Sequence, residues 1–237
     1  MKRVVLNYLV ISVISISTAL MSCSNDKVRL LDTVTYSTGN YVKYEYDNEN
    51  RITKTSYYDK EGNLTFSQTF NYIGNDLVKV DGAGLTIEFS KSENKMTMTV
   101  TNNGDSNVET STMDLNNDGF PTKYETINNA VSVVGAFEIH DGNLTKHLYK
   151  HTRDSVTLEG SFDYKYDNKK SPLYYCKTPQ WWWILSEDRS VHNNVIERSD
   201  NSGKKTEYKY EFDSAGYPTK CTAKSSESEY VSEYKYQ

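Results

Sequence analysis

Residues 210–220 read Tyr-Glu-Phe-Asp-Ser-Ala-Gly-Tyr-Pro-Thr-Lys and contain the unit that decides the fold. Aromatic residues alternate with a charged residue at the end of one strand, and Asp213 then begins a turn. Gly216 supplies the positive φ that a tight turn needs, and an apolar residue starts the return strand. The same order of residue types recurs at 44–52, 57–65, 115–123, 139–146 and 164–170. Internal repetition of a hairpin predicts a β-meander.

The segments between these turns alternate apolar and polar residues, which is the pattern of strands with one buried face. For example, Leu85, Ile87 and Phe89 share one face of a predicted strand. No segment is suited to a crossover helix, so the strands are expected to be antiparallel neighbours. We predict an all-β, antiparallel up-and-down meander of about 14–16 short strands. It is expected to curl or close into a water-soluble, barrel-like sheet with the aromatic face inward.

Residues 171–193 break the alternation and hold the densest aromatic cluster of the chain. We interpret this segment as a long loop or short helix at one end of the sheet. It either plugs that end or presents aromatic faces that stack on a glycan or an apolar ligand, and a plug that forms the floor of a pocket satisfies both interpretations. For the ligand interpretation we expect solvent-exposed rings among the tryptophans. The candidate ligand-binding residues are Tyr174, Tyr175, Trp181, Trp182 and Trp183.

The N-terminus has the pattern of an export signal. Met1-Lys2-Arg3 precedes an apolar run, which ends in Leu20-Met21-Ser22-Cys23. The last four residues resemble the lipobox of bacterial lipoproteins, in which the cysteine is lipidated. We predict a signal peptide over 1–22, a lipidated tether over 23–30 and a single all-β meander domain over 31–237. An uncleaved anchor and a plain secreted protein are the alternatives.

The net charge and the cysteine content limit the classes of binding partner and the cellular compartment that we expect. The formal net charge is −5, which argues against nucleic acid because phosphate binding needs clustered basic residues. If Cys23 carries lipid, Cys176 and Cys221 are left, and they either form a disulfide or stay as two buried thiols. The expected membrane partner is reached through the lipid on Cys23, at the outer membrane, facing the periplasm or the cell surface.

One turn matches the ligand spacing of a calcium loop. Asp114, Asn116 and Asp118 are followed by Glu125 at the twelfth position. Pro121 and the strand-like flanks argue against this interpretation, and a plain turn explains most of the match because the other hairpins share it. We therefore expect no cofactor, with calcium at this turn as the weaker alternative.

No nucleophile motif occurs, and no pair of carboxylates stands out as catalytic. We therefore expect a non-enzymatic module that binds a glycan or an apolar ligand. The alternatives are a structural protein that docks an envelope partner through sheet edges or its tyrosine-rich face, and a hydrolase with an unrecognised carboxylate pair.

The repeated unit resembles the tyrosine–aspartate repeats of large bacterial surface and toxin-shell proteins. Together with the lipobox, the meander is similar to uncharacterised Bacteroidales lipoproteins with a porin-like fold. This resemblance implies an all-β fold in the cell envelope and transfers no functional residues.

Overall fold

The computed structural model describes residues 28–82, 84–102, 108–127, 131–185 and 192–237, and the predicted signal peptide and Cys23 lie outside them. The described chain forms sixteen antiparallel strands and one short helix, and β1 pairs with β16 to close a barrel. The prediction of an all-β antiparallel meander is confirmed, and the closed barrel fits a porin-like shape.

The strands are β1 (Leu31–Tyr36), β2 (Tyr41–Tyr46), β3 (Ile52–Tyr58), β4 (Leu64–Ile73), β5 (Asp76–Gly82), β6 (Leu85–Ser92), β7 (Lys95–Asn102), β8 (Val108–Leu115), β9 (Pro121–Ile127), β10 (Val131–His140), β11 (Asn143–Arg153), β12 (Val156–Lys170), β13 (Asn193–Asp200), β14 (Lys205–Phe212), β15 (Pro218–Lys224) and β16 (Glu229–Tyr236). The helix is α1 (Gln180–Leu185).

The two ends of the barrel differ because successive connections alternate between them. One end, which we call the base, holds the β2–β3 turn, the first and last residues of the barrel, and the β12–β13 connection with α1. The mouth is the opposite end, which holds the β1–β2 turn. Leu30 and Gln237 exchange two backbone hydrogen bonds at the base, of 3.3 and 2.9 Å. The segment predicted as a tether therefore joins the barrel at its last residues.

Five turns share one architecture in which Asp, Asn and Gly have the predicted roles, whereas residues 164–170, also predicted as a hairpin unit, continue strand β12 without a turn. In the turn that begins at Asp213, the Gly216 N–H donates to the Asp213 carbonyl at 3.1 Å. The Asp213 carboxylate accepts the N–H groups of Ala215 and Tyr217 at 2.9 and 3.0 Å. Gly216 has a φ of +82°. The other four turns begin at Asp47, Asp59, Asn116 and Asp200.

The hydroxyls of partly buried tyrosines hold neighbouring strands together at the base. Tyr46, at the end of β2, donates to the carbonyl of Leu31 at the start of β1, at 2.8 Å. Tyr72 makes the corresponding bond to Ile52 at 2.9 Å. The same pattern links Tyr166 to Leu144 and Tyr236 to Pro218, at 2.6 and 2.8 Å. Each bond satisfies a carbonyl where a strand begins, inside the barrel.

An apolar ring surrounds the inside of the base. Each odd-numbered strand begins there and contributes one buried side chain close to its first residue. The ring consists of Leu31, Ile52, Leu77, Met96, Pro121, Leu144, Val195 and Pro218. In six of the seven strand pairs that are connected at the base, a register shift occurs beside this ring. Such bulges bend strands.

Helix α1 fills the ring as a plug. Trp181 packs on Phe89 with ring centroids 4.8 Å apart, and Trp182 packs edge-on against Phe70 at 5.4 Å. The segment before the helix is fixed to the barrel wall, because the Ile52 N–H donates to Thr178 Oγ1 at 2.9 Å. Within the described residues, no helix is long and apolar enough to cross a membrane.

The outer face of the barrel carries opposite charges on neighbouring strands. Lys150 lies directly opposite Glu159, with Nζ 2.8 Å from Oε1. Lys165 and Lys205 flank Glu197 at 2.9 and 3.3 Å and lower the pKa of its carboxyl group. Such exposed pairs contribute little to stability, and they make the outer surface polar.

The buried tyrosines predict a loss of stability in alkali. Burial raises the pKa values of Tyr46, Tyr72 and Tyr236 above the ordinary 10.0. Because the folded pKa is the higher one, their contribution is complete below about pH 10 and is lost as the pH rises above it. We expect urea unfolding, followed by tryptophan fluorescence, to show a falling unfolding free energy above about pH 10.

Tyr72→Phe should cost about 1–2 kcal/mol at neutral pH, because it leaves the Ile52 carbonyl without its partner. The same variant should make the alkaline decline shallower, because one buried hydroxyl no longer has to ionise. Tyr230→Phe, at a tyrosine that is 60% exposed, is the control. Parallel pH profiles for Tyr72→Phe and the wild type would contradict this account.

Candidate functional site

Two cavities of the barrel interior, beside and above the plug, form the candidate site. The first, which we call the tryptophan cavity, has a volume of about 390 Å³. Its floor is formed by Trp182, Ile184 and Leu185 of the plug. The wall comes from inward-facing residues of β6 to β11, which are Ile87, Met98, Glu109, Ser111, Met113, Tyr124, Thr126, Phe137 and His147, together with Thr112.

The tryptophan cavity is mostly apolar, with a few polar groups in fixed positions. Ser111 Oγ and Thr126 Oγ1 lie 2.6 Å apart across two strands and satisfy each other. The His147 imidazole stacks on Phe137, with ring centroids 4.8 Å apart. Apolar walls with a few placed polar groups are typical of small-molecule sites.

The second cavity, which we call the tyrosine cavity, has a volume of about 250 Å³ and lies against Pro172 and Leu173. Arg198 is the one cationic side chain among its described lining residues. Six tyrosines line it, namely Tyr36, Tyr44, Tyr164, Tyr208, Tyr210 and Tyr234. Towards the mouth it adjoins a groove of about 440 Å³, which shares Arg198, Tyr208 and Ala223.

Cys221 belongs to the wall of the tyrosine cavity. Its side chain lines the cavity together with those of Tyr210 and Tyr234. Burial raises the pKa values of both Cys221 and Tyr210. The thiol is therefore held in its protonated form at neutral pH, which does not favour a nucleophile.

Inward-facing apolar side chains are exposed at the mouth. Leu158 and Tyr230 have exposed fractions of 63% and 60%. Among the described residues, α1 is the helix inside the barrel, and it fills the base, so these side chains reach solvent. The others of this group are Tyr36, Phe66 and Val156. The described part of the mouth is therefore partly apolar.

The expectation of solvent-exposed tryptophan rings is wrong. Trp181, Trp182 and Trp183 are only 5%, 8% and 3% exposed, because the helix places all three inside the apolar ring. The structure also separates them from Tyr174 and Tyr175, which stack edge-on at 5.1 Å on the chain that leads into the plug. Of the predicted cluster, Trp182 alone lines the tryptophan cavity.

The turn with calcium-like spacing has the architecture of the other four. Asn116 Oδ1 accepts the N–H groups of Asp118 and Phe120 at 3.0 and 2.9 Å, so it serves the turn itself. Asp114 faces Lys95 across the strand pair at 3.7 Å, and Glu125 lies within β9. No group of three His, Cys, Asp or Glu side chains in the described ranges is arranged to hold a metal.

Cys176 and Cys221 are free thiols. Cys176 lies in the connection before α1, whereas Cys221 lies on β15, so the two occupy different parts of the barrel. Of the two alternatives that the sequence left open, the structure has the unpaired one. Burial also raises the pKa of the Cys176 thiol.

Two carboxylates near the mouth, those of Asp200 and Glu227, have structural partners. Asp200 accepts the N–H groups of Ser202 and Lys204 in its turn, at 2.9 and 3.0 Å. Lys204 also binds Glu227 at 2.7 Å. No carboxylate occurs among the described lining residues of the tyrosine cavity, and Glu109 is the one in the tryptophan cavity.

Arg198 was missed by the sequence analysis. A register shift between β12 and β13, at Lys165 and Tyr166, interrupts the alternation in this region. Periodicity therefore gives no reliable signal that Arg198 faces inward.

Comparisons with known proteins give two similarities, and no family model matches the chain. The chain is 29% identical over 208 residues to the tRNA3(Ser)-specific nuclease WapA of Bacillus spizizenii, over 83% of this chain. It spans only 8% of the length of that nuclease. The structure is similar to that of a porin-like protein from Bacteroides uniformis, with a TM-score of 0.35 and 12% identity, over 87% of this chain and 96% of that one.

Acrylamide quenching should report the burial of the plug directly, because all three tryptophans of the chain lie in it. We expect the folded protein to be quenched several-fold less than the urea-unfolded chain. Tyr230→Trp, which places an indole at the exposed mouth, should add a strongly quenched component. Equal quenching of the folded and unfolded wild type would show that the plug does not occupy the base.

Proposed function

We propose that this chain is an extracytoplasmic, lipid-anchored and non-enzymatic protein that binds a small apolar ligand inside its barrel. The observation that carries the proposal is the tryptophan cavity of about 390 Å³, which is floored by the plug and lies inside a barrel whose mouth exposes apolar side chains. Its volume falls in the range of small-molecule sites, about 300–1,000 Å³. An apolar ligand suits this lining better than a glycan, whose hydroxyls need many polar partners.

The anchor is proposed from the sequence of the N-terminus. The export-signal pattern and the lipobox-like residues 20–23 support a lipid on Cys23 and an outer-membrane location. A barrel embedded in lipid presents an apolar outer band with aromatic girdles. The charged cross-strand pairs of the outer face support a barrel that stands in water, tethered by its lipid. These features support membership of the hairpin-repeat Bacteroidales lipoproteins.

Closure of the barrel weighs against docking as the alternative function. Pairing of β1 with β16 leaves no free sheet edge in the barrel, and most of the tyrosine-rich face is turned inward. The sheet edges and the tyrosine-rich face, which were the two surfaces suggested for docking a partner, are therefore largely occupied by contacts within the barrel.

Binding of the neutral fluorophore N-phenyl-1-naphthylamine, excited directly, tests the proposal. We expect saturable enhancement of its emission by the wild type. Ile87→Trp adds a large ring inside the tryptophan cavity and should weaken binding by about tenfold or more. Glu88→Trp adds the same ring on the opposite, outer face of β6 and is the matched control.

Two results would overturn the proposal. One is the absence of saturable binding by the wild type. The other is equal affinity of the wild type and Ile87→Trp, which would place the fluorophore elsewhere.

A further inference from the structure

Arg198 brings a positive charge into the tyrosine cavity. It lies on β13 two residues before Asp200, so it is about 7 Å deeper in the barrel than the last residue of the strand. The guanidinium carbon lies 5.0 Å from the ring centroid of Phe162, and the residue is half-buried. A guanidinium stacked on a ring keeps its N–H donors in its own plane, where they can reach a ligand.

Arg198 makes no ion pair with the residues that the structure describes, whereas its charged neighbours do have partners. Asp200 accepts hydrogen bonds from its own turn, including one from the Ser202 hydroxyl at 2.6 Å. Lys204 and Glu227 bind each other at 2.7 Å. Asp200, Lys204 and Glu227, which lie nearest the mouth, thus have polar partners. Arg198, which lies deeper, has no ion pair among the described residues.

A cation held in a partly desolvated cavity favours an anion there. Removing a charge from water costs free energy unless an opposite charge or hydrogen bonds compensate for it. A carboxylate suits one guanidinium, since its two oxygens match two parallel N–H groups. A phosphate dianion would call for a second cation, and the tyrosine cavity has none among its described lining residues.

The rest of the cavity suits a flat, apolar body. Tyrosine rings supply stacking surfaces on several sides, and Leu173 and Val195 add aliphatic surface. The cavity of about 250 Å³ and the adjoining groove of about 440 Å³ give room for one or two fused rings.

We propose that the tyrosine cavity binds a small aromatic monocarboxylate, with its carboxylate on Arg198 and its ring among the tyrosines. This inference rests on the proposed function, because it assumes that the barrel interior takes up a ligand. It goes further in naming the chemical class of that ligand and the residue that selects it.

The test compares two probes of the same shape, naphthylacetate and naphthylethanol, by isothermal titration calorimetry on the full mature chain. We expect the wild type to bind the carboxylate at least about tenfold more tightly than the alcohol. Arg198→Gln should remove this preference by weakening naphthylacetate binding, with naphthylethanol binding unchanged within about twofold. The retained alcohol binding shows that the variant is folded.

Arg153→Gln is the matched control, because it removes the same charge from a side chain that is 69% exposed. It should leave the affinities for both probes unchanged. Arg198→Lys keeps the charge but loses the planar fork, so an intermediate preference is expected.

The outcomes separate this inference from the proposed function. If the wild type binds both probes equally, or if Arg198→Gln keeps the preference, the role of Arg198 is refuted and the apolar site stands. If the wild type binds neither probe but does bind N-phenyl-1-naphthylamine, the carboxylate ligand is likewise refuted. If none of the three binds, both proposals fail.

Discussion

A closed sheet of sixteen strands encloses more space than its inward side chains can fill, and the functional features of this molecule follow from how that space is occupied. At the base, an inserted helix fills it. Away from the helix, the inward side chains leave cavities and an exposed apolar mouth. The candidate site is therefore a consequence of strand number: the barrel is too wide to have a core throughout, and one six-residue helix occupies only part of it.

Tyrosine contributes both the apolar contacts and the hydrogen bonds that such a wide interior needs. Its ring contributes apolar area, and its hydroxyl reaches a backbone carbonyl that would otherwise lack a partner. The bonds from Tyr46, Tyr72, Tyr166 and Tyr236 repeat this solution around the base. Where tyrosines line a cavity instead, as Tyr208 does, the same side chain offers a ring surface to a ligand.

The distribution of charge follows the same division between outside and inside. Lysines and acids face one another on the outer surface, where water screens them and each pair contributes little. Charged side chains are few inside the barrel. Arg198 is expected to attract an anion more strongly than an exposed arginine does, because a lower local dielectric strengthens the interaction between opposite charges. In the proposed site, a single half-buried cation selects an anion without the charge clusters that a nucleic-acid site needs.

Much of the fold was predictable from the repeated unit, because turn chemistry is local. Asp213 and Gly216 form the turn that their sequence indicates, and the alternation between turns gives the strands. The order of hairpins then gives an antiparallel meander, since short connections leave no other pairing.

The sequence alone does not tell which face of the closed barrel a residue takes after a turn. Ile52 and Leu64 both follow an Asp-initiated turn of the same architecture, yet Ile52 is fully buried and Leu64 is 55% exposed. Ile52 points into the base, beside the plug, whereas Leu64 lies at the mouth opposite Tyr58, whose ring is on the outer face next to Lys43. Burial of the tryptophans and the inward direction of Arg198 have the same origin. Both depend on where α1 and the bulges lie in the closed barrel, which is a property of contacts between distant residues and not of local pattern.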